Sequence, residues 1–153
     1  MKCYHCTDHL PKAVNDFSIT KYKVPLCIKH QRWFDHMLND APKKNTEQQL
    51  LLFLRLKYSG ANPTINKYDG HKTVDIAIED IGLHLEIDGF QHHGEKQAYS
   101  DLQRTVYDLE IDIPTIRIPN SLVDKKLDQC AEQLIKIIRK RRGVTIEQPT
   151  SLG

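Results

Sequence analysis

From Thr64 onward the apolar positions fall on every second residue. Val74, Ile76 and Ile78 alternate with Thr73, Asp75 and Ala77, and Leu83, Leu85 and Ile87 alternate with His84, Glu86 and Asp88. A period of two is that of a strand with one face on a core, so the segment predicts two strands, with Asp80-Ile81 and Gly82 supplying a hairpin turn. Elsewhere the spacing is helical. Thr46 followed by Gln49 is a capping-box pattern that opens a Leu-rich helix running to Tyr58, where Ser59-Gly60 stops it. Ala98, Leu102, Val106 and Leu109 mark a further helix, and Pro114 to Ile118 a further strand. Ser121 opens a last helix whose Leu127, Ala131, Leu134 and Ile138 face inward. The order of helix, two or three strands, helix, strand and helix predicts an α/β fold, a mixed β-sheet flanked by helices.

Residues 1–40 lack that periodicity but carry three of the four cysteines (Cys3, Cys6, Cys27) and four of the eight histidines (His5, His9, His30, His36). Such a segment is held by something other than an apolar core. Cys3-x-x-Cys6, a gap of twenty residues and Cys27-x-x-His30 form two chelating pairs, the pattern from which a tetrahedral Zn²⁺ takes four ligands. His5 or His9 could replace His30 as the fourth. The plainer alternative is that Cys27 and His30 merely begin a helix containing Trp33, Phe34 and Met37. Cys130 lies on the apolar face of the last helix and is expected to be a packed core thiol, and cysteines so placed are no disulfide framework. Asn39 to Asn45 reads as a linker. The predicted organisation is a zinc-binding module at 1–40, an α/β domain at 46–142 and a loosely ordered tail at 143–153.

At 153 residues, 39% hydrophobic and 27% charged, the chain suits one compact domain plus a small module. Its 22 Lys+Arg against 20 Asp+Glu neither require nor exclude a nucleic-acid partner. Distribution is more informative, because Lys136, Arg139, Lys140, Arg141 and Arg142 gather at one helix end. They could neutralise phosphates or simply complement the helix dipole. Lone aromatics (Trp33, Tyr58, Tyr68, Tyr107) are assigned no role. The strongest apolar run, Leu50 to Leu54, is far short of the roughly 20 residues of a membrane span, and the N-terminus lacks a signal-peptide apolar region. A cytoplasmic protein without a membrane partner is expected.

The hairpin carries the chemistry. If Glu79 pairs with Gly82, Asp75 lies directly opposite Glu86, with their Cβ atoms about 5 Å apart on one face. Two carboxylates so placed repel unless a proton or a cation intervenes. Asp88 projects from the same face, giving an oxygen-rich pocket suited to a hard divalent cation such as Mg²⁺ or Mn²⁺. A solvated acidic face is the plainer reading. Gly89-Phe90-Gln91-His92-His93-Gly94 shifts the balance, because it adds two imidazoles that could act as a general base at the end of the acidic strand. Acids, histidines and loop together point to a metal-assisted hydrolytic site.

The string Val74-Asp75-Ile76-Ala77-Ile78, Leu85-Glu86-Ile87-Asp88-Gly89-Phe90-Gln91-His92-His93, Asp101-Leu102-Gln103-Arg104 and Thr115-Ile116-Arg117-Ile118 resembles the PD-(D/E)XK nuclease superfamily. Within it, the branch of very-short-patch repair endonucleases and related phage or mobile-element nucleases is most similar, over about residues 46–140. The resemblance implies a restriction-endonuclease-like fold. It makes Asp75 the metal-binding acid of the second core strand, and Glu86 the acid of the third, with the Ile87 carbonyl as a further metal contact. Asp88 stands where Lys is usual in the superfamily; in the very-short-patch branch the implied base is a downstream His, here His92 or His93. Glu47 resembles the helix Glu that reaches such sites, unless it only complements its helix dipole. Asp101 resembles the helix acid, and Arg104 contacts phosphate or holds the carboxylates. Residues 1–40, with Asn15-Asp16-Phe17 between the knuckles, resemble zinc-ribbon-like modules attached to phage and homing nucleases.

The implied activity is Mg²⁺- or Mn²⁺-dependent hydrolysis of a DNA phosphodiester by a nicking or phage-type endonuclease, with structural Zn²⁺ in the module. Gln91, Arg104 and the Lys136 to Arg142 cluster would bind the substrate. No residue distinguishes DNA from RNA. A non-catalytic DNA-binding adaptor that keeps the scaffold is the alternative. Nothing marks a long apolar seam, so a monomer or weak homodimer is expected.

Overall fold

The computed structural model describes residues 1–68, 73–88 and 115–143, together with residues 96, 99, 102 and 106. In chain order the elements are α1 (Lys12–Tyr22), α2 (Ile28–Asn39), α3 (Glu47–Tyr58), β1 (Thr64–Tyr68), β2 (Thr73–Ile78), β3 (Leu83–Asp88), β4 (Thr115–Pro119), α4 (Asn120–Lys125) and α5 (Leu127–Arg141). The strands form one sheet in the order β1-β2-β3-β4. β1–β2 and β2–β3 are antiparallel and β3–β4 is parallel, so the fold is α/β with a four-stranded mixed sheet flanked by helices. A parallel pair needs a crossover of a dozen or more residues. Residues 89–114 supply it, and the four described within it are helical. The Gly89 to Gly94 loop with Gln91, His92 and His93, the positions Ala98, Asp101, Arg104, Tyr107, Leu109 and Pro114, and the 144–153 tail lie outside the described residues.

The hairpin register matches the sequence reading, with Ile76 opposite Leu85, Ala77 opposite His84 and Ile78 opposite Leu83. The turn is more elaborate than a bare two-residue loop. Glu79–Ile81 form a 3₁₀ turn, and Gly82 closes it at φ 65°, donating its N–H to the Glu79 carbonyl at 3.2 Å. A residue with a Cβ adopts that left-handed conformation only at a cost.

α3 begins and ends where its caps predict. The Thr46 hydroxyl accepts the Gln49 N–H at 3.1 Å, and Gly60 at φ 90° follows the last turn. Leu50, Leu52, Phe53, Leu54 and Leu56 are all buried, so this helix is apolar nearly all round. Such a helix needs cover on more than one side. The sheet and α5 supply one side and the N-terminal segment supplies the other, where Trp33 packs on Phe53 (ring centroids 5.7 Å apart) and Tyr4 stacks on Tyr58 (4.2 Å). A single apolar cluster therefore joins Cys3, Leu10, Leu26 and Phe34 to α3, the strands and α5.

The helix expected from Ser121 is interrupted. Lys126, at φ −134° and ψ 47°, leaves the helical region and separates α4 from α5. No proline or glycine marks that break in the sequence. Cys130, Ala131, Leu134 and Ile138 are buried on α5 as the spacing predicts, while Leu127 is only half-buried. No helix among the described residues is long and apolar enough to cross a membrane.

Candidate metal centre and acidic cleft

Cys3, Cys6, Cys27 and His30 bring one ligand atom each to a point, all within 4.8 Å of one another. Among the described residues they are the one group of three or more Cys, His, Asp or Glu ligands so gathered. The separations suit a tetrahedral ion: Cys6 Sγ to Cys27 Sγ is 3.9 Å, Cys3 Sγ to His30 Nδ1 is 3.7 Å and Cys27 Sγ to His30 Nδ1 is 3.2 Å. Four ligands at zinc–sulfur distance have edges of about 3.8 Å. This group could bind a metal such as zinc. The helix alternative is also realised, because Cys27 is the N-cap of α2 and His30 lies in its first turn. The two readings are compatible, since a helix start is a stiff way to present a Cys-x-x-His pair.

His5 is not among the four. Its ring stacks on that of His30 (centroids 3.9 Å apart) and meets Trp33 edge-on at 4.6 Å. Burial, then the neighbouring His30, hold its pKa down to about 4, so it is a neutral packing group. His30 is likewise held below the usual histidine range by burial, which favours the neutral ligand form. Burial pushes the Cys6 thiol up to about 12 against a backbone hydrogen bond at Asp8, with the Cys3 and Cys27 sulfurs adding to the rise. A central cation reverses that by stabilising thiolates.

The second site is the acidic hairpin. By register Asp75, Glu86 and, in the parallel pairing with β3, Arg117 share one face of the sheet. Asp75, Glu86, Ile87 and Asp88 line a cleft of about 330 Å³ together with Lys43, Lys44, Thr46, Gln49 and Arg117. Within it the hairpin locks its own acids: the Ile87 N–H donates to Asp75 Oδ2 at 2.7 Å, and the Asp75 N–H donates to Glu86 Oε2 at 3.1 Å. The other Asp75 oxygen, Oδ1, is 3.0 Å from Lys43 Nζ. Asp75 is buried, and a buried carboxyl group requires such partners.

Gln49 supports this floor from α3. Its amide donates to Asn45 Oδ1 at 2.8 Å, to Asn66 Oδ1 at 3.3 Å and to the Asp75 carbonyl at 3.4 Å. Asn66 faces Asp75 across the β1–β2 ladder from a left-handed backbone (φ 54°), a strained conformation of the kind that gathers at working sites. Thr46 donates to Asn120 Oδ1 at 2.8 Å, tying the start of α3 to the β4–α4 junction. Gln49→Ala strips the buried Asn45 of its donor and should lower unfolding free energy by about 1–3 kcal/mol in a urea titration.

The expected site residues divide as follows. Asp75, Glu86, Ile87 and Asp88 meet at the cleft. Glu47 does not line it; its carboxylate takes Lys23 Nζ at 3.3 Å. Residues two apart on a helix are turned by about 200°, so when Gln49 faces the cleft Glu47 faces away. Gln91, His92, His93, Asp101 and Arg104 lie outside the described residues. Lys43, Gln49 and Arg117 were not singled out in the sequence as site residues. Arg117 could have been found from the alternation of β4, whereas a linker lysine and a buried glutamine carry no comparable signal.

The basic cluster also divides. Lys136 and Lys140 are exposed, and Arg139 and Arg141 partly so. Arg142 is engaged as a clamp: Nε and Nη2 grip the Asp80 carboxylate at 2.6 and 2.9 Å, and Nη2 also donates to the Ala61 carbonyl at 2.6 Å. The guanidinium holds Asp80 below the usual carboxylate range. Arg142 thus ties the end of α5 to Asp80 and to the Ala61 carbonyl. Arg142→Ala should cost about 1–2 kcal/mol in thermal unfolding, whereas Lys136→Ala, at an exposed position, should leave stability nearly unchanged.

Comparison of the chain with protein-family models, with curated proteins and with solved structures gave no match, so the two sites stand on their own chemistry.

Proposed function

We propose that the chain is a metal-dependent DNA endonuclease of restriction-endonuclease-like, PD-(D/E)XK type, with a structural zinc module formed by Cys3, Cys6, Cys27 and His30. The observation that carries this reading is the pair Asp75 and Glu86, locked across a hairpin at the floor of a cleft that basic groups enter from the segment before α3 and from β4. The donor set suits Mg²⁺ or Mn²⁺, which bind through one or two carboxylates and keep several waters. Asp75, Glu86 and the Ile87 carbonyl would hold the ion, which supplies Lewis acidity toward the phosphate and acidifies a bound water. Arg117 and Lys44 would orient the phosphodiester, and His92 or His93 would take the proton of the attacking water, as the sequence resemblance implies. Four protein ligands leave no open position on zinc, so that ion is assigned no part in the reaction.

A non-catalytic DNA-binding adaptor is the second reading, favoured by Asp88 at the place where Lys is usual and by the Lys43 ammonium seated on Asp75. Incubating the protein with supercoiled, linear, mismatched and branched DNA, with and without Mg²⁺ or Mn²⁺, separates the two. Cleavage that depends on the cation supports the enzyme; binding of every substrate without cleavage supports the adaptor. A single pair of Asp75 and Glu86 would cut one strand per encounter, so open-circular DNA should precede linear DNA in a plasmid time course, at a rate that falls steeply with salt. Linear product without an open-circular intermediate would indicate a cooperative dimer instead.

A further inference from the structure

The two oxygens of Asp75 are engaged differently. Oδ2 accepts the Ile87 N–H at 2.7 Å, a bond internal to the hairpin, and Oδ1 takes Lys43 Nζ at 3.0 Å. The two partners differ in freedom. The Asp75 side chain is 8% exposed and locked on a strand, whereas Lys43 is 32% exposed and reaches Oδ1 from the segment before α3 on a flexible four-carbon stem. That segment is itself fixed, because Asn45 donates to the Lys43 carbonyl at 3.1 Å and to the Met37 carbonyl at 2.8 Å. The lysine backbone is thus anchored beside the cleft while its ammonium can swing.

A buried carboxylate needs a counter-charge, and Lys43 provides one. A divalent cation that binds Asp75 through Oδ1 approaches the oxygen Lys43 occupies, and two cations a few ångströms apart repel strongly. Metal and ammonium therefore exclude each other at Oδ1. Once displaced, the ammonium stays within a stem's length of Lys44 and Arg117, which line the same cleft. Among the described residues, three cationic side chains would then face an anionic ligand, where before two did.

We propose that Lys43 is a displaceable counter-ion, which neutralises Asp75 until a divalent cation takes Oδ1 and then serves as a phosphate ligand for the nucleic-acid backbone. This rests on the reading of the cleft as a divalent-cation site. It makes Lys43 a coupling device: it weakens cation binding and strengthens substrate binding once the cation is in place, so its removal has effects of opposite sign on the two ligands.

The test uses the intact zinc-loaded protein. Mn²⁺ binding, followed by calorimetry or by the loss of the free-ion electron-paramagnetic signal, is compared for wild type, Lys43→Gln, Lys43→Arg and Asp75→Asn. Affinity for a short DNA duplex in Ca²⁺ is read by fluorescence anisotropy over a range of salt. Lys43→Gln should bind Mn²⁺ about three- to tenfold more tightly. It should bind the duplex more weakly, with a salt slope smaller by about 0.9. Lys43→Arg should stay near wild type in both, and Asp75→Asn should lose the Mn²⁺ site. Unchanged or weaker Mn²⁺ binding by Lys43→Gln, with Asp75→Asn still losing the site, would overturn the counter-ion role alone. Tighter Mn²⁺ binding with unaltered duplex affinity would overturn the phosphate role. Mn²⁺ binding equal in wild type and Asp75→Asn, or absent from both, would overturn the cleft as a metal site and this inference with it.

Discussion

Removing zinc from the Cys3, Cys6, Cys27 and His30 group is expected to lower the melting temperature of the whole chain by roughly 10 °C or more, and to do so in one transition. The size of the effect follows from where the four ligands sit, closing a segment whose Leu10, Leu26 and Phe34 belong to the same apolar cluster as α3. α1 exposes Phe17 and Ile19 and buries only Ser18 and Tyr22, and the knuckle around Cys3 closes through a few backbone bonds such as Thr7 N–H to the Cys3 carbonyl at 2.8 Å. Binding of a structural zinc is folding free energy in such a segment. The single transition follows from the shared core: His5, Trp33 and Phe53 pack together, and Phe53 belongs to α3, whose first turn carries Gln49 and thus the floor of the cleft. Zinc loss should therefore loosen the acidic hairpin as well as the knuckles. Elemental analysis should give one zinc per chain, and Cys27→Ser should reproduce the chelated melting profile. A chain freed of zinc that melts at the same temperature, or a native protein in which Cys3, Cys6 and Cys27 are all freely alkylated, would sink the assignment.

The parts of this molecule that were legible in its sequence are those fixed by local chemistry. Thr46, Gln49 and Gly60 set the ends of α3 because caps act within one turn, and the alternation from Val74 to Asp88 set the register of the hairpin because a slip of one residue would turn Leu83, Leu85 and Ile87 off the core. Cys3, Cys6, Cys27 and His30 were legible as a group because chelating pairs keep short spacings. What the sequence did not disclose depends on contacts between distant segments. Lys43 sits in a linker and Gln49 in a run of leucines, and only the packing of α3 against β1 and β2 brings them to Asp75. Glu47 was expected at the cleft by resemblance, yet the rotation between it and Gln49 sends it to Lys23. Arg142 looked like part of a basic patch, but its neighbour in space is Asp80, sixty-two positions away in the chain. The break at Lys126 has no breaker residue to announce it.

Asp75→Asn is expected to abolish cleavage while leaving the fold nearly as stable. The amide keeps an oxygen for the Ile87 N–H and fits the same volume, and Lys43, one-third exposed, can turn to water. The change in unfolding free energy should stay within about 1 kcal/mol, because the lost ion pair is partly exposed and repulsion with Glu86 is relieved. The effect on the reaction is far larger. Asp75 is proposed as a charged ligand of the ion that stabilises the reacting phosphate, and several kcal/mol of such stabilisation correspond to about three orders of magnitude in rate. Glu86→Gln should behave alike, since it stands opposite across the hairpin. The direct measurement is the initial rate of plasmid nicking by wild type and Asp75→Asn at saturating Mg²⁺, with folding verified by matched melting curves. The account predicts cation-dependent nicking by wild type and a loss of about a thousandfold in the variant. Nicking by Asp75→Asn at the wild-type rate would contradict it.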